Sequence, residues 1–167
     1  MYKETDFTKI SAEVLEQLQK GAFLTVSDGE RTNTMTIGWG SVGFVWKKPI
    51  FMVMVRYSRY THEIISKAKE FTVSVPLGGQ LKDALNVCGK KSGRDIDKFK
   101  ECSLKTEKGL AVDTPIISDC DAHIECRIVY RQGMDGNSLA GDINKNCYST
   151  KDYHVLYYGE ILKAYKK

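Results

Sequence analysis

Residues 33–62 read N-T-M-T-I-G-W-G-S-V-G-F-V-W-K-K-P-I-F-M-V-M-V-R-Y-S-R-Y-T-H, and the reading of the chain turns on them. Two β-prone runs flank a loop broken by Pro49. The second run ends in a polar, basic cluster of Arg56, Ser58, Arg59 and Thr61, immediately before a predicted helix. Cations, hydroxyls and the free N–H groups of a helix start are the ingredients of a phosphate site. The first run offers a Thr- and Gly-rich backbone with one aromatic, Trp39, against which a flat, half-polar ring fits. Phosphate at one end and a flat ring at the other point to a nucleotide-like cofactor. The same residues also describe a solvated strand end with an ordinary N-cap, and Thr34, Thr36 and Trp39 are ordinary β-formers.

The rest of the chain carries further punctuation. Residues 11–20 form a short amphipathic helix with Ser11 as N-cap and Gly21 as its stop. A strand over 22–27, the Asp28-Gly29 turn and a returning strand over 31–39 predict a hairpin. Gly38, Gly40 and Gly43 interrupt regular pairing and suggest a bulge or a close approach to the backbone. Residues 50–55 are apolar on both faces, as in a central strand. A helix capped by Thr61 follows, then a strand over 71–75. Leu81, Ala84, Leu85 and Cys88 fall at helical spacing, with Gly89 as the C-cap. Weak, short strands lie around a Lys108-Gly109 turn, and residues 122–131 alternate like a half-exposed strand. Residues 132–150 read as an irregular excursion and 153–165 as the last strand. Strands with a few peripheral helices fit an antiparallel barrel or a sandwich, and pattern alone does not separate the two.

Composition sets outer bounds. The chain has 167 residues, 42% of them hydrophobic, which suits one domain over residues 1–167. Lys plus Arg number 25 and Asp plus Glu 21, a net charge of +4 that would attract an anionic ligand without arguing for nucleic acid. The aromatic residues do not interleave with Lys and Arg in one stripe, so a β-barrel module for single-stranded nucleic acid is the weaker alternative. No apolar run reaches the ~20 residues of a membrane span, and residues 1–6 lack a signal-peptide core. The five cysteines, Cys88, Cys102, Cys120, Cys126 and Cys147, form no C-x-x-C, and the three histidines show no ligand spacing. A reduced, cytoplasmic protein without a metal, nucleic-acid partner or membrane is the expectation.

Several motifs, in order, resemble the flavin reductase-like, FMN-binding split-barrel family, with its flavoredoxin branch nearest. They are Asn33-Thr34-Met35-Thr36 with Trp39; Arg56-x-Ser58-Arg59-Tyr60-Thr61-His62; Phe71 to Pro76; Cys88-Gly89-x-x-Ser92-Gly93-Arg94-Asp95-x-Asp97-Lys98-Phe99; and His154 with Gly159-Glu160-Ile161. The resemblance spans roughly residues 20–165. It implies a six-stranded, Greek-key split barrel and bound FMN. Asn33, Thr34, Met35, Thr36, Trp39, Gly40 and Ser41 would lie at the ring, and Arg56, Ser58, Arg59, Tyr60 and Thr61 at the phosphate. Ser92 and Lys98 would belong to a nearby loop, and His154 would stand close to the flavin and a nicotinamide site. The family pattern before that histidine is Asp, and Tyr153 departs from it. The resemblance further implies hydride transfer from NADH or NADPH to flavin N5 and a homodimer with the cleft at its interface. The alternative on the same fold is a flavoredoxin-type electron carrier served by a redox protein partner. No G-x-G-x-x-G marks a separate dinucleotide domain. Cys88, on an apolar helical face, reads as a small buried hydrophobe.

Overall fold

The computed structural model describes residues 2–167. After a two-residue strand β1 (Lys3–Glu4), helix α1 (Phe7–Leu18) begins four residues before the predicted helix. Asp6 is its N-cap, accepting from the Thr8 amide at 2.8 Å. Ser11 lies inside the helix, where its hydroxyl bonds back to the Phe7 carbonyl. Ile10, Val14 and Leu18 face the core, each burial being worth about 1.5–3 kcal/mol.

The hairpin predicted around Asp28-Gly29 is β2 (Ala22–Ser27) and β3 (Thr32–Ile37). β4 (Gly40–Val45) and β5 (Lys48–Arg56) form a second hairpin around Trp46 and Lys47, both at positive φ. Sequence pattern missed β4, because its glycines remove the apolar alternation. Gly40 is the close approach those glycines suggested, since a Cβ there would lie 2.9 Å from the Met52 carbonyl of β5. Then follow α2 (Tyr60–Ile65), β6 (Glu70–Val75), α3 (Lys82–Lys90), α4 (Lys98–Glu101), the short pair β7 (Thr106–Glu107) and β8 (Ile116–Ile117), and β9 (Ala122–Gly133). A 3₁₀ turn (Gly136–Ser138), α5 (Gly141–Cys147) and β10 (His154–Lys166) close the chain. The excursion expected to be irregular therefore contains a helix. Gly89 is inside α3 rather than a cap, and Thr61 is inside α2, whose N-cap position is Arg59 with no side-chain cap bond.

The main sheet is antiparallel along β3-β2-β6-β9-β10-β5-β4, with β1 added to β10. Among the described residues this path has seven strands against the six expected; the extra one is the glycine-rich β4. β5 lies between β10 and β4, as its doubly apolar sequence required. The two ends of the path, β3 and β4, are joined by Gly38 and Trp39 alone. Three Cα–Cα steps span at most about 11 Å, so the sheet curls until its edges nearly meet without closing. That is the split-barrel architecture.

The barrel interior is one apolar cluster including Leu24, Phe51, Val53, Val55, Phe71, Val73 and Tyr157. A smaller cluster (Phe23, Leu85, Cys88, Leu104, Ile117, Cys120) joins the outer face of β2 to α3 and the 102–120 segment. That segment also covers the first half of β9, so His123 and Glu125 are buried where the sequence suggested a half-exposed strand. The Glu125 carboxylate accepts from the amides of Leu110, Ala111 and Val112 and from the Tyr165 hydroxyl. Four donors at 2.5–3.0 Å offset the desolvation of this charge.

His123 is fully buried beside Ser74 (Nδ1 to Oγ 3.1 Å). Burial, reinforced by Lys167, pushes its pKa down from 6.5 to about 4. The unfolded chain therefore binds more protons between pH 6.5 and 4, so this contribution is complete above pH 6.5 and is lost as the pH falls toward 4. Its size is up to about 3 kcal/mol. In chemical denaturation, the loss of stability from pH 6.5 to 4 is expected to be clearly shallower in His123→Gln than in the native chain. An equal slope would remove His123 as a source.

Candidate functional site

Two adjoining recesses open where the sheet edges approach one another. The first, about 190 Å³, lies between the end of β3, the Gly38-Trp39 link, β5 and β10. It is lined by Met35, Thr36, Ile37, Trp39, Met54, Arg56, Arg59 and His154. Trp39 is half exposed, with its ring 5.5 Å from that of His154. The second, about 150 Å³, lies between the start of α2 and the loop after α3. It is lined by Asn33, Ser58, Tyr60, Thr61, Lys90, Lys91, Ser92, Gly93, Arg94 and Lys98, and it shares Met35 and Arg59 with the first. Beyond Tyr60, Gly93, Arg94 and Lys98 it continues into a wider, open hollow of about 730 Å³.

The two recesses differ in character. The first has thioether, indole and imidazole walls, with Arg56 and Arg59 also in its lining. The second has five cationic side chains and no carboxylate in its lining. Two of the five already meet carboxylates outside it: Arg94 pairs with Glu63 and Lys91 with Glu101. Lys98 is the informative one. Asp97 caps α4 and fixes the turn, and the Lys98 side chain is 4% exposed, its ammonium donating to the Cys88 carbonyl at 2.8 Å. Burial lowers its pKa from the ordinary lysine value, with Arg59 adding to the effect. An ammonium has three protons to donate, and here one carbonyl receives one of them. Arg59 likewise uses one guanidinium N–H on the Gly89 carbonyl, at 2.9 Å. Buried or half-buried donors held by neutral carbonyls, with donors to spare, suit an anion. α2 has only six residues, so these side chains rather than a helix dipole dominate the field.

The residues singled out by sequence divide into two groups. Asn33, Met35, Thr36, Trp39, Arg56, Ser58, Arg59, Tyr60, Thr61, Ser92, Lys98 and His154 all line one recess or both. Thr34, Gly40 and Ser41 line neither. Thr34 is buried against β2, bonded to Thr25 and the Leu24 carbonyl, while Gly40 and Ser41 belong to β4.

Within the first group several side chains are committed elsewhere. Arg56 spends its guanidinium on the carbonyls of Asp152 (2.6 Å) and Cys147 (2.9 Å), so it braces the 147–152 segment rather than serving as the anion's cation. The Ser58 hydroxyl donates to Asp152 at 2.6 Å, and that of Thr36 to the Leu85 carbonyl at 2.6 Å. Thr61 accepts from Asn33 Nδ2 at 2.9 Å, fastening β3 to α2. Cys88 is buried, and burial first, with Cys102 beside it, pushes its thiol up to about 12, which makes it an inert core residue.

Sequence reasoning left out Met54, Lys90 and Lys91, and it quoted Gly93 and Arg94 in the 88–99 motif without giving them a place in the site. Met54 was findable, since it lies two residues from Arg56 on one face of β5. Lys90 and Lys91 enter only because α3 runs through Gly89.

Residues 18–167 match the flavin reductase like domain family. The chain belongs to that family. One sequence relative, an uncharacterized protein of Archaeoglobus fulgidus, is 36% identical over 64% of this chain and 59% of its own length. The chain thus spans about three fifths of that relative. Among solved structures, a flavoredoxin from Methanosarcina acetivorans superposes with a TM-score of 0.68 at 26% identity, covering 88% of this chain and 68% of the other. An FMN-binding protein from Thermus thermophilus gives 0.65 at 25% identity over 87% and 69%. The split-barrel assignment and the family resemblance read from the sequence are both borne out. No helix among the described residues is long and apolar enough to cross a membrane.

Gly93 sets how closely the loop after α3 can approach β3. A Cβ at this position would lie 2.2 Å from Asn33 Oδ1 and 2.8 Å from the Tyr60 ring. Gly93→Ala is expected to cost about 1–3 kcal/mol of stability as these groups move apart, read as a lowered denaturation midpoint. An unchanged midpoint would show that the loop gives way freely.

Proposed function

We propose that the joined recesses hold FMN, with its planar ring in the Trp39–His154 recess and its phosphate in the cationic one, and that the protein is a flavin-dependent oxidoreductase. The observation carrying this reading is the buried, under-bonded Lys98 ammonium beside Arg59, one shared wall away from an apolar, aromatic slot. The distribution of donors fits the group: five cations line one end, while the other presents flat and polarisable walls with Arg59 shared between the two and Arg56 spent on backbone carbonyls. The family match and the FMN-binding neighbour support it.

FMN, when bound, supplies a reversible hydride acceptor at N5. The chain's part is placement. Arg59 and Lys98 neutralise the phosphate, Met35 and Trp39 contact the ring, and Trp39, half exposed at the mouth, leaves room for a second planar group. Burial, then Arg56 and Arg59, push the His154 pKa down to about 4 while Asp152 opposes them, so its imidazole is neutral at pH 7. We take NADH or NADPH as the electron donor. The alternative is a carrier reduced by a protein partner, as neighbours named flavoredoxin suggest.

A homodimer belongs to the same proposal. Phe44, Val45 and Trp46 are exposed at the tip of the β4–β5 hairpin, and Trp46 stacks edge-on against Tyr130 and Tyr158. An exposed apolar group of this kind marks an interaction surface. Sedimentation at twice the chain mass is the expected result, and a monomer at micromolar concentration the contrary one.

Two experiments test the function. Arg59→Ala should weaken FMN binding by more than ~1 kcal/mol, about fivefold or more, through loss of a charge-assisted bond; equal affinity would remove Arg59 from the site. Anaerobic addition of NADH or NADPH to the FMN-loaded protein should bleach the flavin spectrum within seconds. A flavin that stays oxidised with both donors would favour the carrier reading.

A further inference from the structure

His154 opens β10, and its ring faces the apolar recess beside Trp39 and Met54. Its Nδ1 lies 2.8 Å from the hydroxyl of Tyr148, whose ring meets the imidazole edge-on at 5.6 Å. Tyr148 follows α5 directly and is 3% exposed.

The direction of this hydrogen bond follows from donor bookkeeping. A phenol hydroxyl has one proton to donate, and burying that proton without an acceptor costs about 1–3 kcal/mol. Among the described residues, the one side-chain or backbone partner of the Tyr148 hydroxyl is His154 Nδ1. If Nδ1 carried the ring proton and donated to the phenol oxygen, the phenol proton would be buried and unpaired. With the Tyr148 hydroxyl donating instead, Nδ1 must be the bare nitrogen, and the ring proton sits on Nε2. Among the described residues Nε2 bonds to no protein group and is not enclosed, so it is left to the recess.

Tyr148 is itself held in place. The Arg56 guanidinium lies 5.0 Å from its ring centroid and is anchored on the carbonyls of Cys147 and Asp152, on either side of Tyr148 in sequence. The Tyr153 ring packs against it at 5.1 Å. Arg56 thus braces the segment that carries the phenol.

We propose that Tyr148 is a positioning residue that locks His154 as the Nε2–H tautomer, so that a hydrogen-bond donor rather than a proton acceptor faces the ring recess. Resting on the FMN reading, this assigns His154 a role: it gives a hydrogen bond to a carbonyl or ring-nitrogen acceptor of the planar group beside Trp39, and it is not a general base. Tyr148 lies in the stretch that has no regular pattern in the sequence, and its partner is six residues away through a turn.

The test is a long-range ¹H–¹⁵N correlation spectrum of the FMN-free protein, labelled at histidine, at pH 7.5, with His154 assigned by its loss in His154→Gln. The expected pattern has a protonated-type shift at Nε2 and an unprotonated-type shift at Nδ1. Tyr148→Phe should move both nitrogens toward tautomer-averaged values. A native spectrum with the proton on Nδ1, or a mixture of tautomers, overturns the proposal, as does a Tyr148→Phe spectrum that stays purely Nε2–H. If that variant does not fold, 3-fluorotyrosine labelling keeps the ring and strengthens the donor. The Nδ1 shift should then move, and an unmoved shift counts against Tyr148. FMN titrated into the same sample reports separately: absence of binding overturns the functional reading and leaves the tautomer result standing.

Discussion

Ile37 and Gly40 end and begin strands at opposite ends of the hydrogen-bonded path, and only Gly38 and Trp39 join them. No flat or gently twisted seven-strand sheet satisfies that link, because its edges would stand about 29 Å apart at about 4.8 Å per strand spacing. The sheet has to curl. α1 packs Ile10, Val14 and Leu18 into the curled sheet, and Leu18 lies against the Gly38–Gly40 stretch. What remains of the gap is the apolar recess. Trp39 stands at the mouth because it is half of the link, and His154 and Met54 stand opposite because β10 and β5 lead the sheet to its far edge. The slot is thus a product of topology.

The cationic recess has a different origin. It is assembled from three loops or element ends: the turn into α2, the end of α3 and the start of α4. Its cations are held close by contacts that leave no slack. Gly93 touches Asn33, Asn33 holds Thr61, and Lys98 and Arg59 reach back to carbonyls of α3. Like charges gathered there, among the described residues only two of the five paired with carboxylates, lower the stability of the ligand-free chain, and a bound phosphate would remove that cost. Met35 and Arg59 border both recesses, so a ligand with an apolar plane and an anionic tail reaches the two environments at once.

Much of this was legible in the sequence because it rests on local chemistry. The Asp28-Gly29 turn, the doubly apolar run over 50–55 and the basic cluster before α2 each carry their own signal. What was not legible was long-range. β4 lacks a pattern because glycine removes it, and its place is decided by pairing with β5. Arg56 looked like a phosphate ligand by adjacency to Arg59, yet Arg56 ends β5 while Arg59 stands at the N-cap position of α2, and Arg56 meets carbonyls some ninety residues on in the chain. Thr34 sat inside a motif, but its hydroxyl is spent on Thr25 and the Leu24 carbonyl of β2, while Asn33, Met35 and Thr36 reach the site. Tyr148 gave no signal at all, since its role arises only when β10 brings His154 back beside it.

The proposed FMN would span both recesses, ring in one and phosphate in the other. The most direct test is a calorimetric titration of the ligand-free protein with FMN and, side by side, with riboflavin, which keeps the ring and lacks the phosphate. One FMN per chain, bound at least tenfold more tightly than riboflavin and with the difference shrinking as salt is raised, is the predicted result. Equal affinity for the two, or no binding of either, would contradict it.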